Sequence, residues 1–236
     1  MPNAKNYCVG RERLIQGEEK NKMEFTKIKE LFDIDFAFGF PEEKIKRAED
    51  RLKIKFPKLL RKYYKELGNH KKLNQTQDCL LDIESVKFED NKFLIFYVEN
   101  QYVAIWGIPI NEIEKENPAV YRKVDNNDWE LDSKNLNSFL ISMAFMQSIF
   151  AFDFHANICS VESKYDQVVI KNFQEEEEEF SLWNVKFYRN RSTELIAVFR
   201  NVGQTDIFVS AKNKKDFESI LTKFDLEWDY HSERDH

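Results

Sequence analysis

The order of apolar patterns along the 236 residues predicts an α+β fold, with a mixed, mainly antiparallel central sheet and helices packed against it. Three observations carry this. Residues 41–52 and 57–67 repeat apolar side chains at helical spacing, residues 93–108 read as an apolar hairpin, and the last third holds short strand-like runs closed by a helix.

The first helix is expected over 41–52. Pro41 suits a first turn, Glu42 and Glu43 suit the positive end of the helix dipole, and Ile45, Ala48 and Leu52 form one stripe. Pro57 disfavours a helical Phe56, so the chain breaks there and restarts with Leu60, Tyr63, Tyr64 and Leu67 on one side, stopping at Gly68 and Asn69. Residues 70–78 are polar and read as a loop. FLIFYV at 93–98 and YVAIWGI at 102–108 flank Glu99, Asn100 and Gln101, the expected hairpin connection. Both runs are apolar on both faces, which places them centrally and covered on both sides. Residues 111–132 read as irregular. Asp132 or Ser133 is the expected cap of a long helix to about Phe150, turning Leu136, Phe139, Leu140, Met143, Met146 and Phe150 inward. Strands are expected at 168–170, 180–188, 195–199 and 207–209, and a closing helix over 214–224.

Composition narrows the classes of function. Twenty-one phenylalanines against 6 glycines and 5 prolines favour packed structure over disorder. Thirty-six basic against 42 acidic residues give a net charge of −6, a poor match for a phosphate backbone, so no nucleic-acid partner is expected. No stretch approaches the roughly 18 apolar residues of a membrane span, and the first 22 residues lack the apolar core of a secretory signal. Cys8, Cys79 and Cys159 are scattered and odd in number, which points to a reducing cytoplasm rather than a disulfide framework or a zinc ribbon. Residues 1–23 read as a flexible leader with Met23 as an alternative start, 24–230 as one domain, and 231–236 as a tail. Residues from about 160 to 230 form either an integral part of that domain or a sub-lobe.

PEEKIKRAEDRLKIKFPKLLRKYYKELGNH (41–70), FLIFYVENQYVAIWGI (93–108), ENPAVYRK (116–123), Trp129, SFLISMAFMQSIF (138–150) and IFVSAKNKKDFESIL (207–221) occur in an order and spacing that resemble the SUKH superfamily, named for the Smi–Knr cell-wall regulators of fungi. The pair Asn100 and Gln101 departs from the glycine expected at that family's hairpin tip. The resemblance implies a binding fold with no shared catalytic constellation. It further implies an immunity protein that neutralises a cognate bacterial toxin, nucleases being frequent among such toxins, or else a regulatory interaction scaffold like the fungal members. The weight of Lys, Asn, Ile and Phe suits an AT-rich bacterial genome and favours the immunity reading.

Three features stand out as candidate partner-binding residues. Trp106 ends a buried-looking strand and is an aromatic anchor or a core residue, the core reading being the commoner fate. Trp129 lies in a polar stretch, where an indole is either an exposed hot spot or folded back on the sheet. Glu175, Glu176, Glu177, Glu178 and Glu179 form a self-repelling run that belongs in solvent. It either mimics phosphates against the basic cleft of a nuclease toxin or is a solvated acidic loop, with Trp183 nearby as a strand residue or further anchor. His231 and His236, with Glu233 and Asp235, make a weak metal motif in a mobile tail, and Cys159 near His155 reads as a buried thiol. No phosphate-binding, nucleophile-elbow or zinc-protease signature occurs, so no catalytic residue, cofactor or metal is assigned. An enzyme would need separated carboxylates such as Glu99, Glu112 or Asp128 to converge in the fold.

Overall fold

The computed structural model describes residues 25–125, 127–162, 164–180, 184–201 and 204–234, and among these residues four helices precede the first sheet. They are α1 (Thr26–Phe32), α2 (Glu42–Leu52), α3 (Lys58–Glu66) and α4 (Lys71–Asn74). Pro41 caps α2 in an extended conformation, as its fixed φ allows. The break before α3 is held by a buried carboxylate. Glu49 accepts from the Phe56 backbone N–H at 3.0 Å and from Lys55 Nζ at 3.3 Å, while Lys53 turns the chain with a positive φ. Leu60, Tyr63, Tyr64 and Leu67 are buried along α3 as the spacing predicts. Within the expected loop, His70 caps α4 by accepting from the Leu73 N–H.

The first sheet contains β1 (Cys79–Leu80), β2 (Lys87–Glu89), β3 (Phe93–Val98), β4 (Ala104–Pro109), β5 (Val120–Val124) and β6 (Glu130–Ser133). β1 and β2 share one edge of β3, and β4, β5 and β6 follow in order on the other. The expected hairpin is central, but its connection runs from Glu99 to Val103. The left-handed residue is Tyr102 (φ 61°), and the Glu99 carboxylate accepts from the N–H groups of Gln101 and Val103. A side chain thus closes the turn that a glycine was expected to form.

α5 (Leu136–Ala151) is capped by Asn135, whose side chain accepts from Ser138 N–H at 2.8 Å. The expected caps, Asp132 and Ser133, belong to β6 instead. α5 is buried on nearly all sides, because the two sheets flank it. Its Gln147 accepts from the N–H groups of Thr76 and Gln77 and donates to the Tyr97 hydroxyl, stitching the helix to β3.

The remaining elements are β7 (Phe154–Val161), α6 (Lys164–Asn172), β8 (Gln174–Glu175), β9 (Val185–Arg189), β10 (Glu194–Asn201), β11 (Gln204–Ala211), α7 (Lys214–Leu221) and β12 (Tyr230–His231). Their strands form a second sheet in the order β12-β7-β11-β10-β9-β8. One face contributes Val185, Phe187, Leu195 and Ala197 to the core shared with α5. The other packs Ile196, Val198, Ile207 and Val209 against Val169 of α6 and Phe217 and Ile220 of α7.

The fold is α+β, as expected. The strands nevertheless divide into two sheets instead of one, and all described pairings are antiparallel. Residues 168–170 lie in helix α6, where a strand was expected. Their β-branched side chains gave the wrong signal, while Tyr165, Val169 and Phe173 recur at helical spacing toward the second core. The strand expected over 180–188 is confined to Val185–Arg189 in its described part. The expected leader, residues 1–23, lies outside the described residues, as do Trp183 and His236.

Candidate protein-binding face

The inner and outer faces of the first sheet give its tryptophans opposite environments. Trp106 points into the shared core and is fully buried, with Tyr97 and Phe139 edge-on or tilted about 6 Å away. Its indole N–H donates to the Asp132 carboxylate. Trp106 therefore offers no surface to a partner, which corrects its candidacy as an anchor.

Trp129 lies half-buried on the outer face. The chain entering β6 folds back, so the indole stacks on Phe93 with centroids 4.0 Å apart and planes at 16°. Phe93 in turn lies 5.8 Å from Tyr121. Strand register places Ile95, Gly107, Tyr121 and Leu131 in one row across four strands, with Ile95 fully buried and exposure rising toward Leu131. Gly107 packs closely there: a Cβ would stand 2.9 Å from Ile95 Cδ1 and 3.2 Å from the Leu94 carbonyl oxygen, so a larger residue would make the Ile95 side chain shift. Leu131 is 53% exposed, and Tyr102, in the turn at the end of the hairpin away from Phe93, is 71% exposed. Lys123 and Glu89 reach toward each other across β3 and β4 to an ion pair of 3.7 Å.

The five glutamates lie elsewhere and are largely neutralised within the chain. Glu175 pairs with Lys186 at 2.5 Å, Glu176 with both Arg189 and Lys27, Glu177 with Lys27 at 2.9 Å, and Glu179 accepts from the Ser138 hydroxyl at 3.1 Å. Burial pushes the Glu176 carboxyl up, but hydrogen bonds from Lys27 and Arg189 outweigh it and hold it below its ordinary range. Glu178 is exposed on a short 3₁₀ turn. Glu175, Glu176 and Glu177 thus form an ion-pair network against α1 and β9, while Glu178 and Glu179 are exposed. The structure does not join the run to Trp129 in one site.

The other candidates separate. Glu99 and Glu112 flank opposite ends of β4, Glu99 closing a turn and Glu112 accepting from Ala119 N–H and pairing with Lys115. Asp128 is exposed. The three do not converge. Asp78, overlooked in the sequence, is a perturbed acid: burial, followed by the charge of Glu99, raises its carboxyl to about 6. Beside it the Cys79 thiol is pushed up by burial and by both acids, away from nucleophilic thiolate chemistry. Cys159 is exposed and not buried, its thiol also raised by burial and then by Asp206 and Asp229. His155 instead stacks on Tyr230. His231 accepts from the Glu233 N–H, and among the described residues no cluster of three His, Cys, Asp or Glu could hold a metal. No helix among them is long and apolar enough to cross a membrane.

The sequence missed Phe93, Tyr121 and Leu131 as neighbours of Trp129, because their contact depends on the pairing of β3 through β6. The alternation of Tyr121 with charged Arg122 and Lys123 was the available hint of a half-exposed strand. Comparison of the chain with protein-family models, curated proteins and solved structures gave no match.

Proposed function

We propose that this chain is a cytoplasmic immunity protein of SUKH type, which neutralises a cognate bacterial toxin by binding it stoichiometrically. The observation that carries this reading is the outer face of the first sheet, where Trp129, Phe93, Tyr121 and Leu131 present an aromatic patch without a convergent catalytic group. Large rigid aromatics supply contact area at low entropic cost and dominate protein interfaces. The mechanism is occlusion, with Trp129 as the central anchor and Phe93, Tyr121 and Leu131 around it. Glu175, Glu176 and Glu177 contribute little to recognition, since their charges are already paired. The reading is tested by isolating the tagged chain from cells that naturally make it and identifying what co-purifies. One stoichiometric partner with a toxin-like C-terminal domain is the expected result. Several substoichiometric partners would replace this reading with a regulatory scaffold.

A further inference from the structure

β6 ends the path of the first sheet, and its outer edge is open. The register shows which backbone groups face outward. Asp125 N–H donates to the Val103 carbonyl at 2.8 Å, beside the paired residues Ala104 and Val124. In an antiparallel ladder this fixes the alternation: Tyr121 and Lys123 bond to β4, while Arg122 turns its N–H and C=O to Glu130 of β6. The N–H and C=O of the next residue, Leu131, therefore point off the sheet. Neither has a partner among the described residues. Such unpaired edge groups form a template for another strand, and proteins block them with proline, lysine or a covering element. Residues 125–133 contain neither proline nor lysine.

This edge borders the Trp129 face. Leu131 is the exposed end of the row that runs through Gly107 and Tyr121, and Trp129 lies two residues before it. A strand laid on β6, at a spacing of about 4.8 Å, would lengthen that row by one side chain on the outer face. The residues on either side of that one would point to the opposite face, where Glu130 stands across from Arg122. The register shift between Val120 and Tyr121 leaves Asp132 as an extra residue in β6, so the regular edge ends at Leu131. The incoming segment therefore meets the stretch from Trp129 to Leu131.

The charges at this edge are unspent, and they give the sign of the occupant. The carboxylates of Asp125 and Asp128 stand exposed in the turn between β5 and β6, without a hydrogen-bonded or ionic partner among the described residues. Glu130 keeps its side chain 75% exposed and reaches Arg122 only at 3.9 Å, a surface pair of little strength. Lys134, just past β6, is the single cation from 125 to 134. We propose that the β6 edge takes up an extended segment of the partner protein as a further strand, with an apolar residue beside Leu131 and lysines or arginines on either side of it. Backbone bonds to Leu131 supply the register, and the three free acids select for basic sequence. The inference rests on the reading of the Trp129 face as the partner's surface and adds the form of what binds there.

The test is an NMR titration of the full chain with three synthetic peptides, Lys-Val-Lys-Val-Lys-Val-Lys, Lys-Pro-Lys-Pro-Lys-Pro-Lys and Glu-Val-Glu-Val-Glu-Val-Glu, observing the Leu131 amide. The first peptide should shift that signal saturably and slow its exchange with solvent at least about tenfold, with the other two binding at least about tenfold more weakly. Leu131→Pro removes the outward N–H without touching a bond to β5 and should abolish binding of the first peptide. The peptide comparisons use the unaltered chain, so they decide the matter even if that variant fails to fold. An unshifted Leu131 amide at about 2 mM peptide would overturn the proposal and make the acids a guard against strand pairing. Equal binding of the proline or acidic peptide would overturn it too, as would self-association of the chain abolished by Leu131→Pro, which assigns the edge to a second copy. A silent Leu131 amide alongside a Trp129→Ala loss of affinity for the co-purifying partner would sink this inference and spare the face. Slowed Leu131 exchange with an unaltered Trp129→Ala affinity would do the reverse.

Discussion

Trp106 and Trp129 are the same residue type on opposite sides of one sheet, and substitution should separate them. Trp106→Phe keeps an aromatic ring in the core but deprives the Asp132 carboxylate of the indole donor, at a cost of about 1–3 kcal/mol measured by urea unfolding. Asp78 sets a pH dependence. Its folded carboxyl, near 6, binds a proton more tightly than in the unfolded chain, so its stabilising contribution is complete below the ordinary aspartate value of about 3.8 and lost as pH rises through 6. Asp78→Asn should therefore gain on the wild type by up to about 3 kcal/mol between pH 4 and pH 7, read from paired urea titrations at the two pH values. Glu176 has the opposite sign, its stabilisation being present above the ordinary glutamate range and lost as pH falls through its depressed pKa. Glu176→Gln leaves Arg189 and Lys27 short of a buried partner and should cost about 2 kcal/mol, whereas Glu178→Gln should change the urea midpoint energy by no more than about 0.5 kcal/mol. Equal effects at the two positions would show that the run is a uniform solvated loop after all.

Elements were legible where one local pattern decided them. The stripe of Ile45, Ala48 and Leu52, the Pro57 restart and the Phe93 hairpin were all found, since each combines periodicity with a backbone signal. The start of α5 was not, because Asp132, Ser133 and Asn135 are all competent caps within four residues. Tertiary structure decided among them: Asp132 is taken by Trp106, and β6 pairing extends through Ser133. Asn135→Ala should accordingly destabilise the chain by about 1 kcal/mol in thermal or urea unfolding. β5 and β6 escaped notice because VYRKV and ELDS carry half-solvated polar side chains that hide the strand pattern. Those two strands complete the Trp129 face, so the candidate site was only as legible as they were.

At the scale of the whole molecule, α5 explains why one expected sheet became two. Six of its residues were expected to face a core, yet Ile141, Ala144, Phe145 and Ile149 are apolar and buried as well. A helix apolar on every side needs a layer on every side, and the two sheets provide them. Phe145 is the clearest link, meeting Phe180 and Phe187 at 6.2 and 5.3 Å from within a helix that also packs on the first sheet. This arrangement leaves the outer face of the first sheet turned away from the shared core, with Trp129 laid across Phe93. The central claim is that this face holds the partner. Its most direct test is the dissociation constant of the co-purifying partner for the wild-type chain and for Trp129→Ala. The account predicts a loss of about 2 kcal/mol or more, roughly 30-fold in Kd, with far-ultraviolet circular dichroism unchanged. An unaltered Kd for a folded Trp129→Ala protein would contradict it.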